Sequence, residues 1–209
     1  MKEYFNVISE INDFYKKADE FENDFKGIIF EGLRFSEFEF LFFSFNECEF
    51  KKCKFSQCFF DNCSFLNIKF ENCDFSNSAF ENSYFKNSYF LNSKIYSDKF
   101  IKSTFIDFNF KDCILNYTVF DNSKCTKMKI NDSNFQYGYF NSCNFKDICF
   151  KNVDFSRTSF FKTYLKGIDF TECIIDEIEV SDNFSELKGG IFTINQAFEL
   201  SKLMGIIIK

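Results

Sequence analysis

The feature that most constrains this chain is an apolar residue at every fifth position. The period runs from Phe25 to Val180 through 32 consecutive pentads, and phenylalanine fills 25 of these central positions. The other seven are Ile95, Leu115, Cys125, Ile130, Leu165, Ile175 and Val180. An internal repeat of this length decides the architecture before any other signal.

A period of five fits neither regular secondary structure. On an α-helix, residues five apart differ by about 140° around the axis, so the phenylalanines would cover every face. On a flat strand, alternate central residues would point to opposite sides. All of them share one interior only if the chain turns a corner in each pentad. The spacing therefore predicts a coil wound around its own apolar axis.

Small residues form a second inward column, two positions before the centres. This column includes Cys48, Cys53, Cys58, Cys63, Cys73, Ser78, Ser83, Ser88, Ser93, Ser103, Cys113, Thr118 and Ser123. Asparagine is frequent two residues after the centre, where the chain must turn, and it tolerates turn geometry. The remaining positions are mostly charged or polar, as an outer surface requires.

Stretches such as Phe70-Glu71-Asn72-Cys73-Asp74-Phe75 resemble the pentapeptide-repeat family. The resemblance implies an all-β fold, a right-handed quadrilateral β-helix of about eight coils with a C-terminal capping and dimerisation α-helix. At about 4.8 Å between paired strands, the rod is roughly 38 Å long. A stack of coils exposes unpaired backbone at both ends, so each end needs a cap.

The sequence divides into three parts. Residues 1–24 break the period, and Phe5, Ile8, Ile11, Tyr15 and Ala18 lie near helical spacing, so we expect an amphipathic helix or a loose cap. Residues 25–184 form the β-helix. Residues 185–209 form a C-terminal helix and tail: Gly189-Gly190 ends the coil, and Asn195 caps a helix that runs to about Met204 before Gly205.

The C-terminal part resembles that of the quinolone-resistance (Qnr-type) subgroup, most closely its Gram-positive members. The similarity lies in Leu187-Lys188-Gly189-Gly190-Ile191 and Gln196-Ala197-Phe198-Glu199-Leu200, followed by Leu203 to Ile208. In that subgroup the helix caps the rod and forms a homodimer, and the protein binds DNA gyrase or topoisomerase IV and protects it from fluoroquinolones. The candidate cap and dimer residues are Ile194, Phe198, Leu200, Leu203, Met204, Ile206, Ile207 and Ile208.

One side of the predicted rod is acidic. It is centred on Phe40 and every twentieth residue after it, and its candidate interaction residues are Glu39, Asp61, Glu81, Asp98, Asp121, Glu179 and Asp182. Only Lys99, Lys102 and Lys162 oppose them. This side is either a stripe facing a basic partner or a solvated surface. Asp98 falls where the tube requires a small inward residue, so we expect a local bulge or an outward side chain.

Metal, cofactor and catalytic sites are not expected. Zinc needs four sulfurs about 2.3 Å from one point, whereas the ten cysteines are spread around the tube as small fillers. Cys53 and Cys73 stack closely enough for a disulfide, but the N-terminus has no apolar signal segment, so we expect free thiols and a cytoplasmic location. Histidine, the commonest general base, is absent.

Two functions remain open. The first is a DNA-mimic-like protein that binds a topoisomerase as a dimer, without direct nucleic-acid or membrane binding. The second is a structural or protein-interaction scaffold with no topoisomerase activity. The acidic side and the C-terminal helix distinguish them, because a mimic needs a continuous negative stripe and a dimer long enough to imitate a duplex.

Overall fold

Strands that lie twenty residues apart pair in parallel in the computed structural model of the chain, which describes residues 6–207. On the first side, Phe25 is in register with Phe45, Phe65, Phe85, Phe105, Cys125 and Phe145, which gives seven rungs. Four pentads therefore make one coil, and the architecture is a parallel β-solenoid. The predicted fold class is confirmed.

The regular elements are short because each side of a coil holds one pentad. The two helices are α1 (Ile11–Glu20) and α2 (Ile194–Leu203), with a 3-10 turn at Ser185–Leu187. The strands are β1 (Asn6–Ile8), β2 (Asp24–Lys26), β3 (Ile28–Glu31), β4 (Arg34–Ser36), β5 (Glu39–Leu41), β6 (Ser44–Asn46), β7 (Glu49–Lys51), β8 (Lys54–Ser56), β9 (Phe59–Asp61), β10 (Ser64–Leu66), β11 (Lys69–Glu71), β12 (Tyr84–Leu91), β13 (Thr104–Lys111), β14 (Lys124–Thr126), β15 (Lys129–Asn134), β16 (Asn144–Lys146) and β17 (Cys149–Asp154).

We number the four sides by their first central residues: Phe25 for side one, Phe30 for side two, Phe35 for side three and Phe40 for side four. Sides three and four are held beyond the first coils mainly by single parallel bridges such as Ala79 to Lys99. Every central residue is buried except Phe145 and Val180, which are half-buried.

The phenylalanines stack along the axis, as the period requires. On side four the ring of Phe60 lies 4.3 Å from that of Phe40 and 4.5 Å from that of Phe80, with interplanar angles of 7° and 4°. Offset stacking adds to the burial of aromatic area. The interior is thus four columns of rings, each layer about one strand spacing from the next.

The corners lie two residues after the centres, where most residues have left-handed backbone angles. Asn62, Asn67 and Asn72 have φ of 56°, 57° and 55°. Asparagine occupies this region more readily than other non-glycine residues. The predicted turn role of the asparagines is confirmed.

The inward serines bridge successive coils. The Ser83 hydroxyl donates to the carbonyl of Phe60 (2.7 Å) and accepts the N–H of Cys63 (3.0 Å). Ser103 and Ser123 repeat the arrangement, each with the carbonyl 23 residues earlier and the N–H 20 residues earlier. A small hydroxyl therefore satisfies one donor and one acceptor of the corner backbone that the strands leave unpaired.

Cysteines in this column make the same bond to the carbonyl 23 residues earlier. The thiol of Cys63 donates to the carbonyl of Phe40 at 3.0 Å. All ten cysteines are free, and only Cys149 is exposed. Burial raises the pKa of the Cys63, Cys113 and Cys143 thiols to about 12. The interpretation of the cysteines as inward fillers with free thiols agrees with this geometry.

The N-terminal end of the tube is closed by α1. The ring of Phe14 enters the opening, with its centroid 5.4 Å from that of Phe25 and 4.9 Å from that of Phe35. Ile8 and Ala18 are buried beside it, whereas Tyr15 is exposed. A helix in this region was expected, but its plug is Phe14, which the sequence interpretation had not selected.

The C-terminal end is closed by residues 185–200. The ring of Phe192 stacks on Phe170 at 5.4 Å, and Leu200 of α2 is buried against the last coil. The N-cap of α2 is Thr193 and not Asn195, because Thr193 and Gln196 form a reciprocal capping box. Gly205, with φ of 70°, follows the helix as predicted.

The last coil is attached along only part of its perimeter. Phe155 and Phe160 donate to the carbonyls of Ile174 and Glu179, both at 2.8 Å, so sides three and four remain paired. On side one, β16 pairs only with β14, and Leu165 instead donates to the carbonyl of Glu186. A cavity of about 220 Å³ lies in this seam, lined by Phe145, Asp147, Ile148, Tyr164, Lys166, Gly167 and Ile168.

Candidate interaction surfaces

Side four presents two outward columns beside its buried centres. The column before the centres runs Glu39, Phe59, Ala79, Lys99, Val119, Tyr139, Ser159 and Glu179. The column after them runs Leu41, Asp61, Glu81, Ile101, Asp121, Asn141, Phe161 and Ser181. Charge is therefore mixed with apolar side chains along the whole side.

The structure places six of the seven predicted acidic residues on this surface. Glu39, Glu179 and Asp182 are exposed, and Asp61, Glu81 and Asp121 are half-buried. Asp61, Glu81 and Asp121 share one column, with Ile101 between the last two. Asp121 is partly engaged, because its carboxylate accepts the N–H of Asn141 at 3.1 Å.

Asp98 does not belong to the surface, and the expected bulge or outward turn is wrong. Its side chain is fully buried in the inward column, where one carboxyl oxygen, Oδ1, accepts the N–H of Ser78 at 2.6 Å. The other, Oδ2, is the one buried side-chain polar atom without a hydrogen-bond partner in residues 6–207. Burial raises the pKa of this carboxyl well above its ordinary value. Asp98 occupies the place that serine holds in other coils, and the inward column continues through it without a bulge.

With Asp98 removed, the acidic residues fall into separate groups. Glu39, Asp61 and Glu81 lie on the first three coils, Asp121 stands alone on the fifth, and Glu179 and Asp182 lie on the last. The exposed Lys99 and Lys102 stand between these groups. A duplex as long as the rod carries roughly 22 phosphates at one per about 1.7 Å, so side four is not a continuous copy of a DNA backbone.

Exposed apolar side chains accompany the first acidic group, and the sequence interpretation missed them. Leu41, Phe42 and Phe59 are all exposed on side four. The sequence did contain one sign of these exposed residues: Phe42 is the one phenylalanine in the corner column of the repeats.

The predicted cap and dimer residues at the C-terminus fall into two groups, one buried and one exposed. Leu200 packs against the rod, whereas Ile194, Phe198, Leu203, Met204, Ile206 and Ile207 are exposed. Ile208 lies outside the described residues. The residue that fixes the helix is Gln196, which is buried and donates to the carbonyls of Phe170 and Cys173, both at 2.7 Å. A polar residue could not be recognised as the docking contact from spacing alone.

Within the described range, no group of three or more histidine, cysteine, aspartate or glutamate residues is arranged to hold a metal ion. Between residues 6 and 207, neither helix has the length and apolar character needed to cross a bilayer.

Comparison with known proteins agrees with the repeat. A family model described as Pentapeptide repeats matches residues 48–87 and 139–175, in eight copies. No curated protein sequence matches.

Several solved structures are similar to this chain. A trypsin-treated variant of QnrB1, a plasmid-mediated fluoroquinolone resistance protein, is 16% identical with a TM-score of 0.44, over 89% of this chain and 99% of that one. HetL, a pentapeptide repeat protein involved in heterocyst differentiation in the cyanobacterium Nostoc, is 9% identical with a TM-score of 0.32, over 88% and 98%. Rfr23 from the cyanobacterium Cyanothece is 11% identical with a TM-score of 0.27, over 87% and 98%.

Proposed function

We propose that this chain, whose repeats match the model of pentapeptide repeats over residues 48–87 and 139–175, acts by binding another protein and not by catalysis. Its partner under this proposal is DNA gyrase or topoisomerase IV, which it modulates or protects from fluoroquinolones. Such a partner works on the chromosome, so the proposed location is the cytoplasm.

The observation that carries the proposal is the C-terminal face. Gln196 and Leu200 hold α2 on the last coil, while Ile194 and Phe198 are exposed on its outer surface. An exposed apolar face of this kind is typical of an interface. Its sequence is also the part that resembles the quinolone-resistance subgroup, where the equivalent helix forms a homodimer.

A dimer through this face has a consequence for charge. Two rods joined at their C-terminal ends are about 76 Å long by strand spacing. The Glu179 and Asp182 of both copies then lie near the join, with Glu39, Asp61 and Glu81 near the outer ends. Acidic groups at the centre and at both ends would face basic surfaces on a topoisomerase, and complementary charge favours encounter and orientation.

A binding measurement tests the proposal. The full-length protein is immobilised, and purified gyrase holoenzyme or topoisomerase IV from a low-GC Gram-positive bacterium is passed over it. We expect saturable binding that is weakened when Glu179 and Asp182 are both changed to lysine. Exchange of Asp107 and Asp112, acids on other corners of the rod, is the matched control. Absence of binding to either enzyme would contradict the proposal.

The second candidate is a scaffold that binds other proteins through the same rod. The interruption of the acidic side by Lys99 and Lys102 favours it. Under this function the protein would leave both topoisomerases unbound, and the binding measurement therefore separates the two.

A further inference from the structure

Six residues at the N-terminal end of side four form a patch in which apolar and acidic side chains alternate. We call it the N-terminal patch, and its members are Glu39, Leu41, Phe42, Phe59, Asp61 and Glu81. Phe42 is 72% exposed, Phe59 46% and Leu41 42%. Single exposed apolar residues are normal on protein surfaces, but a group of adjacent ones marks a contact site.

The three apolar residues are neighbours in the sheet. Glu39 is in register with Phe59, and Leu41 with Asp61, so Leu41 and Phe59 lie diagonally across β5 and β9. Diagonal neighbours of this kind are within reach of aromatic side chains. Phe42 follows Leu41, and its N–H donates to the carbonyl of Asp61 at 3.1 Å. Leu41 and Phe59 are therefore neighbours on adjacent coils, and Phe42 lies beside Leu41 at the corner.

Phe42 occupies a position that is unfavourable for a phenylalanine. It has a left-handed φ of 58° at a corner where most other pentads hold a polar residue. For a bulky residue this conformation is a rare one, and asparagine adopts it with less strain. Its ring also remains in water, so neither backbone geometry nor burial within the chain accounts for it. A contact with another molecule would account for it.

The charge of the patch indicates the chemistry of that contact. Glu39, Asp61 and Glu81 surround the apolar residues, and the outward columns of side four contain no lysine or arginine before Lys99. Aromatic anchors surrounded by charged residues are typical of the energetic centres of protein interfaces. The complementary surface is a basic one with an apolar pocket.

We propose that the N-terminal patch is a docking surface for a basic protein surface, and that Phe42 enters an apolar pocket in that partner. The inference rests on the proposed function, in which the partner is gyrase or topoisomerase IV. It changes the expected mode of binding, because a short anchored patch replaces a rod-length imitation of DNA. Contacts between exposed charges weaken as salt screens them, whereas an anchored apolar contact depends much less on salt.

The test compares Phe42→Asn with Phe161→Asn. Phe161 also lies on side four and is 42% exposed, but it stands at the opposite end, outside the patch. Affinity for gyrase holoenzyme and topoisomerase IV is measured at low and moderate salt. We expect Phe42→Asn to weaken binding at least tenfold at both salt concentrations and Phe161→Asn to change it less than twofold. Thermal melting should show that neither variant is unfolded. Equal affinity of Phe42→Asn and the unchanged protein would overturn the proposal.

If the unchanged protein binds neither enzyme, the proposed function fails and the patch is tested by another probe. An array of hexapeptides that alternate lysine or arginine with leucine or phenylalanine is incubated with the full chain. Peptides held by the unchanged protein and by Phe161→Asn, but not by Phe42→Asn, would support the patch as a docking surface. An array that does not distinguish the two variants, or that binds neither, would overturn it.

Discussion

Among single residues, Asp98 differs most in its chemistry from the other residues of the inward column. Serines elsewhere in the column accept an N–H and donate to a carbonyl, and a carboxylate can only accept. Asp98 accepts from Ser78 through Oδ1, which leaves Oδ2 near the backbone without a donor. A protonated carboxyl would restore the second bond, with the carbonyl of Phe75 in the place of the serine acceptor 23 residues earlier. The neighbouring charges on the carboxyl are Asp74 and Lys94.

This arrangement predicts that protonation of the Asp98 carboxyl stabilises the folded chain. Burial raises the pKa of Asp98 in the folded state above its unfolded value of about 3.9. Its contribution is therefore fully present below that value and is lost as pH rises through the folded pKa. We expect Asp98→Ser to stabilise the protein at pH 8 by about 1–3 kcal/mol, and by less at pH 5. Urea unfolding at both pH values, with Asp182→Ser as the exposed control, measures the difference. An equal effect of Asp98→Ser at the two pH values would contradict this assignment.

The central phenylalanines, by contrast, stabilise the fold, because a ring within a column packs against the rings before and after it. Phe80 is fully buried, with rings at 4.5 Å and 4.7 Å on either side. Phe80→Ala should lower the free energy of unfolding by about 3–5 kcal/mol, because it opens a cavity in the stack. Phe42→Ala, on the exposed corner, should change stability by less than about 1 kcal/mol. A melting temperature that Phe80→Ala leaves unchanged would mean that the column does not carry the fold.

At the scale of elements, the uneven attachment of the last coil has a measurable effect. The Lys127 amide donates to the carbonyl of Lys146 at 2.8 Å, while the Asp147 amide, one coil later on the same corner, has no backbone acceptor among residues 6–207. We expect amides of Asn144–Asp147 to exchange with deuterium at least tenfold faster than those of Lys124–Lys127, because local opening there breaks fewer bonds. Equal protection of the two segments in hydrogen-exchange mass spectrometry would show that the seam is closed in solution.

The same elements show what the sequence can predict. The period gave the solenoid, the inward column and the turns, because each follows from one repeated steric requirement. Phe14, Gln196 and Phe42 lie outside that requirement: the first two act at ends where the repeat stops, and the third breaks the corner pattern. Asp98 was recognised as irregular, but its burial depended on the neighbouring coils, which hold the backbone in place regardless of the side chain. Spacing therefore specifies the coil, and three-dimensional contacts decide the caps and the candidate interaction surfaces.

The whole molecule is proposed to act as a dimer, and point variants test this better than truncation. Residues 186–191 hold the last coil, since Leu165 and Gly167 donate to the carbonyls of Glu186 and Gly189. Removing the C-terminal segment would therefore damage the rod as well as the interface. We expect Ile194→Ser combined with Phe198→Ser to convert a dimer to a monomer in light scattering without lowering the melting temperature by more than a few degrees. A dimer that persists in this variant would place the interface elsewhere.

The most direct test of the central claim is gyrase supercoiling of relaxed plasmid, titrated with the purified protein in the presence and absence of ciprofloxacin. The gyrase should come from a low-GC Gram-positive bacterium. The account predicts that the protein either restores supercoiling in the presence of the drug or inhibits the enzyme at micromolar concentration. It also predicts that Phe42→Asn shifts the effective concentration upward while Phe161→Asn does not. No effect on supercoiling under either condition would contradict the account and leave the rod as a scaffold for other partners.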